Sequence, residues 1–330
     1  MTSSVVTVSP LRVSFVGGGT DISDFYKLYD GAVVSCAIRK YVYVHAKRHD
    51  DSFGERYRIS YSKVEHAIER SEIENEIVRS CLELLDFQDP IQISTLSDLP
   101  AGTGLGSSSS FTAAVLMSLH SLEGRIPSKQ QLAEEACWVE IEILKRPIGK
   151  QDQYASVFGG LNLLTFNSQY GVKVKAIRIS KGNLDEFMRR SRLFWTGVRR
   201  EANLVLTDQR SRSLQNEEAL QRMSVLALLF HNILETEAVN WRRLASVLRD
   251  SWQLKKTLSP LITTPDIQNF IATLETSTNC GVKILGAGGG GFVYAIDGSS
   301  NDSVWSHQST KHHSFSPEID YEGTRVISRF

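Results

Sequence analysis

Residues 98–110 restrict the fold more than any other stretch. Three glycines two residues apart, Gly102, Gly104 and Gly106, are followed by Ser107, Ser108, Ser109 and Ser110, and then by an apolar helical pattern from Phe111. A strand-like run at 91–96 precedes them. Glycines at this spacing let the backbone turn tightly and bring its N–H groups close to an anion. The open N–H groups and positive dipole end of the following helix favour phosphate. A flexible linker is the plainer alternative, but linkers do not ordinarily join a strand to a strong helix. No Lys-Ser or Lys-Thr pair follows Gly106, so the phosphate lysine of a Walker A loop is missing.

A chain of 330 residues exceeds one small core, which predicts two domains, 1–188 and 189–330, divided in the polar stretch 181–192. Lys plus Arg and Asp plus Glu number 37 each, so no global field draws in nucleic acid or an anionic membrane. Without a basic leader near Met1 or a run of about 18 apolar residues, a soluble, cytoplasmic protein is expected. Cys36, Cys81, Cys137 and Cys280 form no Cys-x-x-Cys pair and read as free thiols.

Two further glycine blocks flank the central one. Strand-like runs at 5–8 and 11–16 end in Gly17, Gly18, Gly19, Thr20 and Asp21, where main chain can approach a ligand and Asp21 can accept from sugar hydroxyls. Arg12 can project toward the same pocket. Asp21 as a helix N-cap is the competing reading. The runs 31–38 and 41–46 predict a hairpin-like antiparallel pair. Near the C-terminus, Gly286, Gly288 and Gly291 fit Gly-x-Gly-x-x-Gly, but 292–296 is another strand rather than a helix, so a glycine-packed hairpin that allows close backbone approach to ligand or to the first glycine loop is expected.

Candidate chemistry falls between these blocks. Glu140 lies on the apolar face of a helix predicted over 127–144, an unusual place for a carboxylate, and is a candidate magnesium ligand with Glu142 as competitor. In 147–160, Asp152 is the natural acceptor of a hydroxyl proton, with Lys150 or Arg12 to keep it ionised; a helix cap is its alternative role. Arg199 and Arg200 follow a strand at 193–197 and read as phosphate-holding cations or as a solvated pair.

The three glycine blocks, in this order, resemble the motifs of the GHMP small-molecule kinases over nearly the whole chain. The first, from Arg12 to Asp21, resembles the form found in D-glycero-D-manno-heptose 7-phosphate kinases, and Gly18-Gly19 stands where galactokinases carry Glu-His. Residues 149–154, 158–160, 195–197 with Arg199 or Arg200, and Trp252 with Lys255 or Lys256 are similar to the same pattern. The resemblance implies an α+β fold: a domain like ribosomal protein S5 domain 2, then a ferredoxin-like domain. It implies ATP on Pro100, Gly102, Gly104, Leu105, Gly106, Ser107, Ser108 and Ser109, and Mg²⁺ on Ser108 and Glu140. Asp152 and Arg12 would be catalytic. Gly17, Gly18, Gly19, Thr20, Asp21, Arg199, Arg200, Lys256, Gly288 and Gly289 would bind a sugar phosphate. The implied reaction is phosphorylation of the anomeric hydroxyl of the heptose 7-phosphate to the 1,7-bisphosphate, for lipopolysaccharide or capsule precursors, in a protein able to form a homodimer. A kinase for an unphosphorylated sugar such as fucose, or a non-catalytic nucleotide-binding homologue, is the alternative.

Overall fold

The computed structural model describes residues 2–50, 52, 54–199, 202–212, 215–277, 279–299, 305 and 313–330. Its first layer is built on two long strands, β1 (Ser4–Val16) and β2 (Gly31–Arg48), paired antiparallel. β1 joins the two short runs expected at 5–8 and 11–16. The expected hairpin over 31–46 is instead one strand. Pro10 pairs with Tyr41 and Leu11 with Ile38, so Arg39 and Lys40 form a bulge rather than a turn. Polar residues flanked by strand patterns read alike in both cases.

β2 then serves two neighbours. Its first half pairs with β6 (Leu161–Asn167), and its second half with β5 (Ile91–Ser97). The sheet continues through β3 (Tyr57–Ser60) and β4 (Val64–Ala67) at one edge, and β7 (Gly171–Ala176) pairs β6. Against it lie α3 (Ser107–Leu122), α4 (Lys129–Cys137) and α5 (Gln151–Phe158), with α2 (Glu76–Leu84) beyond; the short α1 (Ser23–Tyr26) follows the first glycine block. α3 is buried almost all round, and its small residues Thr112, Ala113 and Ala114 let it lie close to β1 and β2.

The second layer is a four-stranded sheet of order β11-β8-β10-β9. Its strands are β8 (Ser191–Trp195), β9 (Cys280–Ile284), β10 (Phe292–Asp297) and β11 (Ser314–Phe315). The associated helices are α6 (Lys181–Arg190), α7 (Ala202–Ser211), α8 (Glu217–Leu234), α9 (Trp241–Thr257) and α10 (Pro265–Ser277). Aromatic packing joins the layers: the Phe15 ring of β1 lies 5.3 Å from Phe187, 5.9 Å from Phe230 and 5.0 Å from Tyr294. The chain then returns, and β12 (Arg325–Arg329) pairs with β1. Residues from beyond the expected division at 188/189 thus complete the first sheet. All four cysteines are buried. Among the described residues no helix is long and apolar enough to cross a membrane.

β9 and β10 form the glycine-packed hairpin expected from 285–291, with Val293 opposite Ile284. It rests on the central loop. Phe292 N donates to Thr103 O at 3.0 Å, and a Cβ on Gly291 would fall 2.4 Å from Thr103 O. Gly291 also has φ +89°, a region L side chains avoid. Gly291→Ala is therefore expected to destabilise the fold by about 1–3 kcal/mol, seen as a lower urea midpoint at unchanged slope. An unchanged midpoint would mean that the two loops do not meet.

Candidate active site

Arg12 sits on a strand buried on both faces, so its guanidinium must find partners inside the protein. Nε and Nη2 donate to the two oxygens of Asp152 at 2.7 and 2.6 Å, and Nη1 donates to Gly104 O at 2.7 Å. Asp152 lies in the first turn of α5, where the helix dipole favours a carboxylate. It is not the cap: that position is Lys150, and no side chain caps the helix there. Directly over the pair passes Gly106, the residue before α3. A Cβ there would lie 3.1 Å from Arg12 Cγ and 3.4 Å from Asp152 Oδ2. Gly106 has φ +77° and no side chain caps α3, which leaves the first N–H groups of a 16-residue helix open to an anion.

One side of Gly106 faces a groove of about 960 Å³ lined by Gly102, Ser107, Ser108, Phe111, Arg146 and Arg199. Ser108 Oγ donates to Glu140 Oε1 at 2.6 Å, and Gln153 Nε2 donates to Glu140 Oε2 at 2.7 Å. Glu140 is fully buried, on a π-helical turn, Trp138–Ile143, that continues α4. The altered phase of that turn is what sequence spacing left undecided. Glu142 points away, exposed and 3.6 Å from Lys145. One carboxylate and one hydroxyl beside a phosphate cradle suit Mg²⁺, which takes few protein oxygens and completes its shell with water and substrate phosphates. The other loop residues are less open. Leu105 lies in the core and reaches the site through its carbonyl, which accepts from Arg12 N at 2.9 Å; Ser109 is buried; Pro100 lines a separate recess beside Trp195.

The other side of the Arg12–Asp152 pair faces a cavity of about 70 Å³ whose walls include Gly18, Gly19, Asp21, Gln151, Gln209 and Lys255. That is room for roughly two waters. Asp21 accepts from Gly19 N at 2.9 Å, Gln151 N at 3.1 Å and Gln151 Nε2 at 3.2 Å, while burial pushes its carboxyl above the usual range. Its capping alternative fails, because Ile22 is the N-cap of α1. Gly17 and Thr20 are occupied by the turn itself: Thr20 Oγ1 lies 2.9 Å from Gly17 O and 3.0 Å from Ala32 O.

Several expected ligand contacts fall elsewhere. Lys256 leans over Trp252, 5.8 Å from its ring, while Lys255, about 100° round α9, enters the cavity and donates to Gly286 O at 2.5 Å. Gly288 and Gly289 pack on Ile262, with Gly289 N donating to Ile262 O at 2.6 Å; Gly286 and Ala287 line the cavity in their place. Arg199 borders the groove rather than the cavity. Arg200 lies outside the described residues. Sequence reasoning missed Gln209, which carries no local signal, and Lys283, a buried strand lysine whose Nζ donates to Ser14 O at 3.0 Å.

Family models match on both sides of the site: "GHMP kinases N terminal domain" at residues 75–160 and "GHMP kinases C terminal" at residues 229–306. The chain belongs to the GHMP kinases, with the α+β fold of that family, and is a sugar kinase, a phosphotransferase with an alcohol group as acceptor. A D-glycero-alpha-D-manno-heptose 7-phosphate kinase from Campylobacter jejuni is 29% identical over 310 residues, 88% of each chain. An L-fucokinase/L-fucose-1-P guanylyltransferase from Bacteroides fragilis is 28% identical over 222 residues, 65% of this chain and 23% of that protein. A solved D-glycero-D-manno-heptose 1-phosphate kinase from Bacteroides thetaiotaomicron shares the fold at TM-score 0.79, with 20% identity across 99% of both chains.

Burial, reinforced by Arg12, brings Lys255 down from its ordinary 10.5 to about 8, against the attraction of Asp21 and Asp152. Between about pH 8 and 10.5 the unfolded chain thus holds a proton at this lysine that the folded chain has released. Stability from this group rises with pH across that window, and its cost is fully present below it. Relative to Lys255→Met, the wild type should gain unfolding free energy between pH 8 and 10.5 and run parallel below pH 7. Denaturant titrations of both proteins at several pH values read this difference, and parallel curves throughout would show that Lys255 stays charged.

Proposed function

We propose that this protein transfers the γ-phosphoryl of ATP, in the presence of Mg²⁺, to the anomeric hydroxyl of D-glycero-D-manno-heptose 7-phosphate, giving the 1,7-bisphosphate. The position of Gly106 carries the reading. It lies against Arg12 and Asp152, which line the cavity with Asp21 and Lys255, and directly precedes Ser107 and Ser108, which line the groove. A phosphoryl donor on one side and a hydroxyl on the other would then meet at the open end of α3. The heptose phosphate is supported by the relative that matches 88% of the chain.

Within this reading Ser107, Ser108 and the N–H groups that open α3 hold the triphosphate, and Ser108 and Glu140 hold Mg²⁺. Mg²⁺ supplies charge neutralisation on the β- and γ-phosphates. Asp21, Gln151 and the Gly18-Gly19 backbone bind sugar hydroxyls, and Lys255 gives the cavity a positive charge. Asp152 accepts the anomeric proton as the hydroxyl oxygen bonds to the γ-phosphorus and the bond to the β,γ-bridging oxygen breaks, releasing ADP. Phosphoryl transfer depends mainly on positioning and charge, so a carboxylate held rigidly by Arg12 needs little basicity of its own. Leu206 and Gln209 of α7 form part of the cavity wall. The free thiols Cys36, Cys81 and Cys137 suit a reducing compartment such as the cytoplasm. We keep 1–188 and 189–330 as the two domains, with β12 a returning strand.

A free sugar is the second reading, and the cavity favours it in one respect. Among its described lining, Arg12 and Lys255 are the cations, and Arg12 is already engaged by Asp152. ADP release over mannose, fucose, galactose, mannose 6-phosphate and the heptose 7-phosphate separates the two readings. Turnover confined to the 7-phosphate is expected, with Asp152→Asn lowering kcat by about 10²–10⁴-fold while ATP binding persists. Turnover of a free sugar would remove the substrate assignment and keep the mechanism. Nucleotide binding with no turnover on any sugar would point to a non-catalytic homologue.

A further inference from the structure

Arg146 stands in the one place where the proposed metal would have to sit. Its Nη1 donates to Ser108 Oγ at 2.6 Å and to Glu140 Oε1 at 3.0 Å, and Ser108 Oγ itself donates to that same Oε1 at 2.6 Å. The three atoms form a closed triangle. The backbone is shaped to make it. Lys145 takes φ +52°, uncommon for a residue with a side chain, and Arg146 N donates to Glu140 O at 3.0 Å, which folds the chain back over the π-helical turn.

Charge explains why a cation is held there. Glu140 is fully buried, and a buried carboxylate left without a counter-charge is strongly destabilising. Gln153 satisfies its second oxygen without supplying charge. Mg²⁺ and the guanidinium exclude one another, because Mg²⁺ binds its oxygens at about 2.0–2.1 Å in near-octahedral geometry and needs the lone pairs that Nη1 now uses. Arg146 is also free to leave: its side chain is 23% exposed and borders the groove, where a forked guanidinium suits phosphate oxygens.

We propose that Arg146 is an internal cation that fills the Ser108–Glu140 site of the nucleotide-free protein, and that it yields this site to the divalent ion and moves onto the triphosphate in the groove. The exchange keeps Glu140 compensated in both states and suppresses binding of the metal on its own. Of the proposed function it takes only that Ser108 and Glu140 hold the metal. Its test uses no sugar and no turnover, so an inactive kinase would leave it standing.

The experiment is a titration of wild type and Arg146→Gln with Mn²⁺ alone, without nucleotide, following the electron paramagnetic resonance signal of free Mn²⁺. Arg146→Gln should bind Mn²⁺ at least about tenfold more tightly than wild type, within the usual range of coupling between two ligands. Adding Glu140→Gln to that variant should abolish the gain. Equal affinities in wild type and Arg146→Gln would overturn the proposal, as would a gain that survives Glu140→Gln. If Arg146→Gln does not fold by itself, Mn²⁺ must restore its fold, since the ion replaces the lost charge; failure to fold with and without Mn²⁺ would equally overturn it.

Discussion

Arg12 is the joint on which the site depends. Its guanidinium links Asp152 to Gly104, and its main-chain N–H holds Leu105, so one residue of β1 fixes the central loop and α5 together. The three segments are far apart in the chain, and nothing local brings them into register. Burial supplies the force: a guanidinium in the protein interior is tolerable only with its donors satisfied, and the forked arrangement on a carboxylate is among the strongest ways to do so. A lysine could not span both oxygens and Gly104 O at once. The same contacts that seat the loop also orient the carboxylate beneath it, so folding and chemistry rest on one group.

Around that joint the charges are unbalanced in a way that suits phosphate. Arg12, Lys255 and Lys283 gather on two carboxylates, Asp21 and Asp152. Burial shifts each of the flexible members toward neutrality: Asp21 upward, Lys255 down to about 8, and Lys283 well below its ordinary value with Lys255 and Arg12 adding to the effect. Above about pH 8 the folded site lowers its own repulsion by releasing the Lys255 proton. An anion beside Lys255 would favour the protonated amine.

What could be read in the sequence follows from where the backbone, rather than a side chain, makes the demand. The central loop and the hairpin at 285–291 were legible because positive φ and close approach leave glycine as the residue that fits. Arg12 and Glu140 stood out as charges in a strand and a helix pattern, and Asp21 and Asp152 as carboxylates in glycine-bounded loop segments. Phase was harder. Lys255 and Lys256 differ by one step of α9, and the sequence pattern left open which one turns inward. Long-range pairing was not legible at all. β12 returns to β1 from the far end of the chain, and Gln209 joins the cavity from a helix whose pattern gives no sign of a ligand.

The contacts of the two glycine loops also limit how the site can open. A Cβ on Gly104 would come within 2.8 Å of Leu285 O, so the loops touch backbone to backbone with no side chain between them to absorb a shift. Separating the layers would strip Phe292 N from Thr103 O and displace the same loop that Arg12 positions. Opening at that seam would dismantle the phosphate cradle. α7 is held by the partly buried Arg210–Asp24 pair at 2.8 Å, by Ser259 Oγ donating to Asp208 Oδ2 at 2.5 Å and by the buried Val205. Its Gln209 reaches so close to Gly19 that a Cβ there would lie 2.9 Å from Nε2. Gly19 therefore serves the site by letting Gln209 of α7 pack directly against the first glycine loop at the cavity wall.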